Sequence, residues 1–88
     1  LSIMQKVEIY SSSTCGYCFA AKRLLSNKGQ SFSEFNIQMG PDYRAEMIQR
    51  AGGLRTVPQI FIGAQHIGGY EELYALERSG KLDALLNA

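Results

Sequence analysis

The sequence predicts an α/β fold in which a small mixed sheet carries helices on both faces. Polar and apolar residues alternate over residues 6–10, the period-two pattern of a strand. The pattern changes to helical spacing over residues 15–28. Later, the apolar run Gln59–Ile62 and the segment Gln65–Gly68 flank Gly63 and Ala64, which predicts an antiparallel β-hairpin.

The remaining elements follow from local signals. Residues 31–37 predict a second strand, and the first strand, helix and second strand together predict a right-handed parallel crossover. Gly40-Pro41-Asp42 opens a second helix, which Gly52-Gly53 ends. Residues 71–78 predict a third helix, and residues 82–86 predict a short terminal one.

Periodicity also selects candidate core residues. In the first strand it assigns Val7 and Ile9 to one face, and Glu8 and Tyr10 to the other. In the first helix, helical spacing places five residues on one side: Tyr17, Ala21, Leu24, Leu25 and Lys28. In the second helix, the predicted buried side is made of Tyr43, Met47, Ile48 and Ala51.

Length and charge limit what the chain can be. Its 88 residues, 45% hydrophobic, predict a single domain over residues 1–88. Nine basic and eight acidic side chains give a net charge of +1, which provides no electrostatic basis for nucleic acid or a membrane as partner. Residues 1–6 lack the regions of a secretory signal, and two closely spaced cysteines are unlike a disulfide-stapled secreted domain. We expect a cytoplasmic protein.

The two cysteines form the motif Cys15-Gly16-Tyr17-Cys18, where the first strand gives way to the first helix. Residues i and i+3 of a helical turn lie about 5 Å apart at Cα, within the range that a disulfide tolerates. At a helix N-terminus, unpaired backbone N–H groups stabilise an anion and lower the pKa of a thiol. We therefore predict that Cys15 is the nucleophile and that Cys18 resolves a mixed disulfide on it.

Two other interpretations of the cysteine pair stay open at this point. A structural zinc site needs four ligands, and beyond this pair the chain offers a single histidine, His66, on a predicted hairpin strand. His66 is itself expected to be an ordinary hairpin residue. The cysteines could also be two inert buried side chains.

Three motifs in order resemble a dithiol-type glutaredoxin of the thioredoxin fold superfamily, and the resemblance covers about residues 6–86. It implies an α/β thioredoxin-like (glutaredoxin) fold with a four-stranded mixed sheet in the order 2-1-3-4, and a cis peptide before Pro58, beside the cysteines. The motifs are Cys15-Gly16-Tyr17-Cys18, Thr56-Val57-Pro58 and Gly68-Gly69-Tyr70-Glu71-Glu72-Leu73.

The resemblance also implies a glutathione site. The backbone of Val57 would pair with the cysteinyl part of the tripeptide. The N–H groups of Tyr70 and Glu71 would hold the γ-glutamyl carboxylate at a helix start, and the Glu71 side chain would accept from the ammonium group. The implied binding residues are Tyr17, Thr56, Val57, Pro58, Gly69, Tyr70 and Glu71.

Three positions depart from the family pattern. Gly16 stands where many dithiol members have proline, and Glu71 replaces a more usual aspartate. Ser12 stands where a lysine often meets the glycine carboxylate of glutathione. The candidates to replace that lysine are Lys6, Lys22 and Arg55.

The resemblance implies a glutathione-dependent thiol–disulfide oxidoreductase that reduces protein disulfides and glutathionylated proteins. Glutathione is the reductant, glutathione reductase acts indirectly through it, and we expect a monomer without a permanently bound cofactor or metal. The alternative is a dimer that binds a [2Fe–2S] cluster through Cys15 and glutathione, which Gly16 favours because cluster-holding relatives more often lack that proline.

Overall fold

The computed structural model describes residues 5–88, so residues 1–4 of the segment inspected for a signal lie outside the described part. Residues 5–88 contain four strands and four helices. No helix within residues 5–88 is long and apolar enough to cross a membrane. The elements are β1 (Val7–Ser11), α1 (Gly16–Asn27), β2 (Ser33–Asn36), α2 (Tyr43–Arg50), β3 (Gln59–Ile62), β4 (Gln65–Gly68), α3 (Tyr70–Arg78) and α4 (Leu82–Leu86).

The four strands form one mixed sheet in the order β2-β1-β3-β4, which confirms the expected topology. β1 is parallel to β2 and antiparallel to β3. β3 also pairs with β4 in antiparallel orientation. In β1, Ile9 lies between Glu34 of β2 and Ile60 of β3. The C-terminal end of this central strand leads into the cysteine motif.

Helices cover both faces of the sheet. On one face, Val7 and Ile9 pack with residues of α1, α3 and α4, including Leu25, Leu73 and Leu82. The opposite face is covered by α2, with a smaller cluster made of Tyr10, Met47, Ala51 and Phe61.

Tyr10 differs from what strand alternation alone suggests. The pattern places it with Glu8, away from Val7 and Ile9, yet Tyr10 is fully buried. The reason is that α2 covers this face, and the Tyr10 hydroxyl contacts the Glu46 carboxylate and accepts from Arg50 Nη1 at 2.8 Å. Burial, more than any other cause, raises the pKa of the Tyr10 hydroxyl.

The predicted helix limits are close to those observed. α1 ends at Asn27, and Lys28 is its C-cap residue. The next residue, Gly29, has a φ of 74°, the left-handed conformation that commonly follows the C-cap of a helix. Lys28 bonds with the carboxylates of Glu77 at 2.7 Å and Asp83 at 2.8 Å, which raise the pKa of its ammonium group. Lys28 therefore joins the end of α1 to α3 and α4.

Candidate functional site

Cys15 occupies the N-cap position of α1. The side chain that accepts from the first turn of α1 is the Cys15 sulfur, which lies 3.1 Å from the backbone nitrogen of Cys18. Cys15 and Cys18 are joined as a disulfide, with their Cα atoms 5.2 Å apart. The sulfur of Cys15 thus lies where N–H groups of the helix start favour negative charge.

The two cysteines differ in exposure. Cys15 is half-buried, whereas Cys18 is fully buried and faces the body of the domain. Only the Cys15 sulfur is therefore open to a molecule from solution. On the same helix, Tyr17 departs from the core assignment because 64% of its surface is exposed, while Ala21 and Leu25 are buried as expected.

The segment before β3 lies against the cysteines. The Val57–Pro58 peptide is cis, as the resemblance implies. The Val57 carbonyl oxygen lies 3.6 Å from Cys15 Sγ. Pro58 is buried at the strand start, where its missing N–H removes no bond from the ladder. The three residues 56–58 thus form one wall beside the reactive sulfur.

The start of α3 forms the opposite wall. Gly68, which precedes it, has a φ of 117°, a conformation that favours glycine. Gly69 is the N-cap residue, and its N–H donates to Glu72 Oε1 at 2.7 Å. The N–H groups of Tyr70 and Glu71 belong to the first turn, which has no intrahelical acceptors for them. This helix start is suited to a carboxylate.

A groove with a cavity volume of about 200 Å³ lies between these walls. The rings of Tyr17 and Tyr70 are stacked beside it with centroids 6.1 Å apart. All seven residues that the family resemblance implies for a glutathione site lie on this groove, together with one more, Glu72. The lining is Tyr17, Thr56, Val57, Pro58, Gly69, Tyr70, Glu71 and Glu72.

Glu72 is the groove residue that sequence reasoning missed. Its carboxylate accepts a hydrogen bond from the Gly69 N–H. The sequence carries a signal for this role. A glutamate three residues after an N-cap is half of the capping box, and Gly69 and Glu72 have that spacing.

The structure separates the three cations considered as replacements for the missing lysine. Lys22 bonds with Glu34 at 2.8 Å, and Lys6 lies 3.9 Å from Glu8. Lys22 and Ser11 both bond with the Glu34 carboxylate and lower its pKa. Arg55 directly precedes the groove residue Thr56, is exposed, and makes no ion pair within residues 5–88.

Metal ligands are few near the cysteines. Within residues 5–88, no three or more His, Cys, Asp and Glu side chains are grouped so that they could hold a metal ion. Cys18 is fully buried, so only Cys15 is open as a ligand. A [2Fe–2S] cluster would therefore need its other thiolates from outside the chain.

A redox-capable cysteine pair at a helix start, facing a cis-proline segment beside a four-stranded mixed sheet, defines a thiol–disulfide oxidoreductase of the thioredoxin fold. Comparison with known proteins identifies the family. The glutaredoxin family model matches residues 7–67. Glutaredoxin 3 of Escherichia coli strain K12 is 58% identical over 83 residues, which are 94% of this chain and 99% of that protein.

Solved structures agree. The solution structure of glutaredoxin from Brucella melitensis has a TM-score of 0.82 and 51% identity, covering 96% of this chain and 90% of that one. The crystal structure of a buckwheat glutaredoxin–glutathione complex has a TM-score of 0.84 and 33% identity, covering 93% and 76%. The chain therefore belongs to the glutaredoxin family and is a thiol–disulfide oxidoreductase.

Proposed function

We propose that this oxidoreductase takes its electrons from glutathione and reduces glutathionylated proteins and protein disulfides through Cys15. The observation that carries the proposal is that the Cys15 sulfur lies 3.6 Å from the carbonyl oxygen of Val57, a residue that lines the groove. The groove offers the backbone of residues 56–58 at one wall and a helix N-terminus at the other. A buckwheat relative with the same fold is a glutathione complex.

Glutathione would lie in the groove as an extended peptide. The Val57 backbone would bond with its cysteinyl unit as a strand does, bringing the glutathione sulfur to Cys15. The Tyr70 and Glu71 N–H groups would bind the γ-glutamyl carboxylate, and the Glu71 carboxylate would accept from the ammonium group. The exposed ring of Tyr17 would close the groove beside Cys15.

Reduction of a glutathionylated protein would proceed in two exchanges. The Cys15 thiolate attacks the glutathione sulfur, forming a Cys15–glutathione disulfide and releasing the protein thiolate, which takes up a proton. A second glutathione thiolate then attacks the glutathione sulfur of that disulfide and releases oxidised glutathione, regenerating Cys15. Each turnover thus consumes one free glutathione, and the other half of the oxidised glutathione is the glutathionyl group taken from the substrate.

A protein disulfide would use both cysteines. Cys15 forms a mixed disulfide with the substrate, and the Cys18 thiolate attacks Cys15, releasing the reduced substrate. The product is the Cys15–Cys18 disulfide, the state that the structure represents. The short separation of the Cα atoms, 5.2 Å, lets this bond form with little movement of the helix start. Two glutathione molecules would then reduce the disulfide.

The test is glutathione-dependent reduction of a glutathionylated peptide, followed as NADPH oxidation through added glutathione reductase. Cys15→Ser should abolish turnover, and Cys18→Ser should retain it because glutathione itself resolves the mixed disulfide. Reduction of a protein disulfide should need both cysteines. Negligible turnover by the unmodified chain would contradict the proposal, as would activity that survives Cys15→Ser.

The same preparation separates the proposal from the cluster alternative. Anaerobic purification with iron, sulfide and glutathione should give a colourless monomer if the protein is primarily a reductase. A brown dimer that lacks deglutathionylation activity would instead support the cluster-binding function.

A further inference from the structure

A chain of hydrogen bonds leads from β4 to the wall of the groove. His66 Nε2 lies 2.7 Å from Gln59 Oε1. Gln59 Nε2 donates to the Thr56 carbonyl oxygen at 3.0 Å and to Thr56 Oγ1 at 3.2 Å. Gln59 is almost completely buried, with 2% of its surface exposed. Thr56 is the member of this chain that lines the groove.

The acceptors determine how the Gln59 amide is oriented. The Thr56 carbonyl oxygen can only accept, so the amide must present its NH2 group to Thr56 and its oxygen to His66. That buried oxygen needs a donor, and therefore His66 must carry a proton on Nε2. The protonated nitrogen is assigned here from the hydrogen-bond network.

The bonds to Thr56 also set the direction of the next N–H group. The C=O of Thr56 and the N–H of Val57 belong to one trans peptide and point in opposite directions. When Gln59 holds the carbonyl, the Val57 N–H is directed to the other side. Pro58 has no N–H, so Val57 supplies the one backbone donor of the pair that lies against Cys15.

We propose that His66 is a positioning residue for substrates that carry glutathione, acting through Gln59 and Thr56 on the direction of the Val57 N–H. The inference rests on the proposed function, in which Val57 bonds with the cysteinyl unit of glutathione. Without the His66 donor, the buried amide oxygen has no partner, so the Gln59 side chain that holds the Thr56 carbonyl is fixed less firmly. Substrate binding should weaken, while the sulfur chemistry at Cys15 is left unchanged.

A pure packing role has to be separated from this one, since the His66 ring also stacks on Phe61 with centroids 4.9 Å apart. A comparison of the variants His66→Gln and His66→Asn separates the two roles. Both replacements remove the ring, but the glutamine amide nitrogen lies the same number of bonds from Cβ as histidine Nε2, and the asparagine nitrogen is one bond shorter. Only His66→Gln can restore the donor.

The experiment measures kcat and KM for a glutathionylated peptide, with melting temperatures of each variant. We expect His66→Asn to raise KM about fivefold, the effect of losing one net hydrogen bond of about 1 kcal/mol, with kcat unchanged. His66→Gln should keep KM within about twofold of the unmodified chain and, because it restores the donor to the buried amide oxygen, should melt no lower than His66→Asn. Equal KM values in the two variants would overturn the proposal.

A second measurement needs no glutathione and so is independent of the proposed function. Nitrogen-15 NMR of His66 in the unmodified protein should show a protonated Nε2, and His66→Asn should shift the Val57 amide resonance more than His66→Gln does. A neutral ring protonated on Nδ1 would overturn the hydrogen-bond chain. Absent turnover with a protonated Nε2 and the expected amide shifts would count against the proposed function alone.

Discussion

The Sγ atom of Cys15 lies 3.6 Å from the carbonyl oxygen of Val57, although 42 residues separate them in the chain. The contact joins the start of α1 to the segment before β3, and it places the Cys15 sulfur beside residues 56–58, which line the groove.

Arg55 is expected to meet the glycine carboxylate of glutathione in place of the lysine that Ser12 replaces. It has no ion pair within residues 5–88 and lies next to the groove wall. Arg55→Ala should raise KM for a glutathionylated peptide roughly two- to fivefold, as for an exposed ion pair of up to about 1 kcal/mol. Steady-state kinetics with Arg44→Ala, an exposed arginine on α2, provides the control.

The Arg55 effect should also shrink in high salt, because exposed charges are screened. An unchanged KM in Arg55→Ala, or an equal change in Arg44→Ala, would refute this assignment.

Gly16→Pro should be accepted and should stabilise the fold. Gly16 is the first residue of α1, a position that suits proline, and a Cβ atom there would meet nothing within 4 Å. Cys15, with φ −98° and ψ 110°, already has the extended conformation that precedes proline. Fewer conformations of the unfolded chain should raise the free energy of unfolding by about 0.4–1 kcal/mol. Urea denaturation of both proteins in the oxidised state measures it.

Gly16→Ala is the matched control for that substitution, since it adds a Cβ without fixing φ. A Gly16→Pro protein less stable than Gly16→Ala would show that the turn needs the N–H of residue 16.

Glu72→Ala should destabilise the start of α3. Its carboxylate accepts from the Gly69 N–H at 2.7 Å, and loss of such a cap costs about 1 kcal/mol, or about 4–8 °C in melting temperature for a domain of this size. Glu72→Gln keeps an acceptor and should lose less. Thermal denaturation should separate these two variants.

Glu71→Ala is the control for Glu72→Ala, because it removes a neighbouring acid in the same turn that does not cap Gly69. Its main effect should be on KM for glutathionylated peptide. The cap would be rejected if both alanine variants melted at one temperature.

The Glu34 carboxylate should make stability depend on acidity. Lys22 and Ser11 lower its pKa in the folded protein, so its contribution is present above the unfolded pKa and is lost as the pH falls through the folded pKa. The melting temperature of Glu34→Gln should therefore fall less than that of the unmodified chain as the pH is lowered from neutral into the acid range. Melting curves across that range measure the difference.

Asp42→Asn serves as the comparison for Glu34→Gln, because Asp42 is an exposed acid at the start of α2 that makes no ion pair within residues 5–88. If the melting temperatures of Glu34→Gln and of the unmodified chain fell equally with falling pH, a role for the Lys22–Glu34 pair would be excluded.

Local sequence signals were sufficient for most elements of this protein. The limits of β3 and β4 agree with the prediction to the residue, because the apolar run and the turn at Gly63 act over a few positions. The left-handed Gly29 and the cysteine pair at the start of α1 are equally local. The order of the strands and the cis peptide were expected through the family resemblance, and spacing alone could not supply them.

The tertiary structure determined which distant segments contact each other. Tyr10 is buried because α2 covers its face, which strand alternation cannot report. The groove exists because α1, the segment before β3 and the start of α3 meet. The Cys15 sulfur comes to lie beside the Val57 carbonyl oxygen only through that packing. Periodicity records which side of an element is apolar, whereas a hydrogen bond between segments depends on how whole elements pack. The local sequence therefore determines the reactive position of Cys15, and the packing of whole elements determines its binding groove.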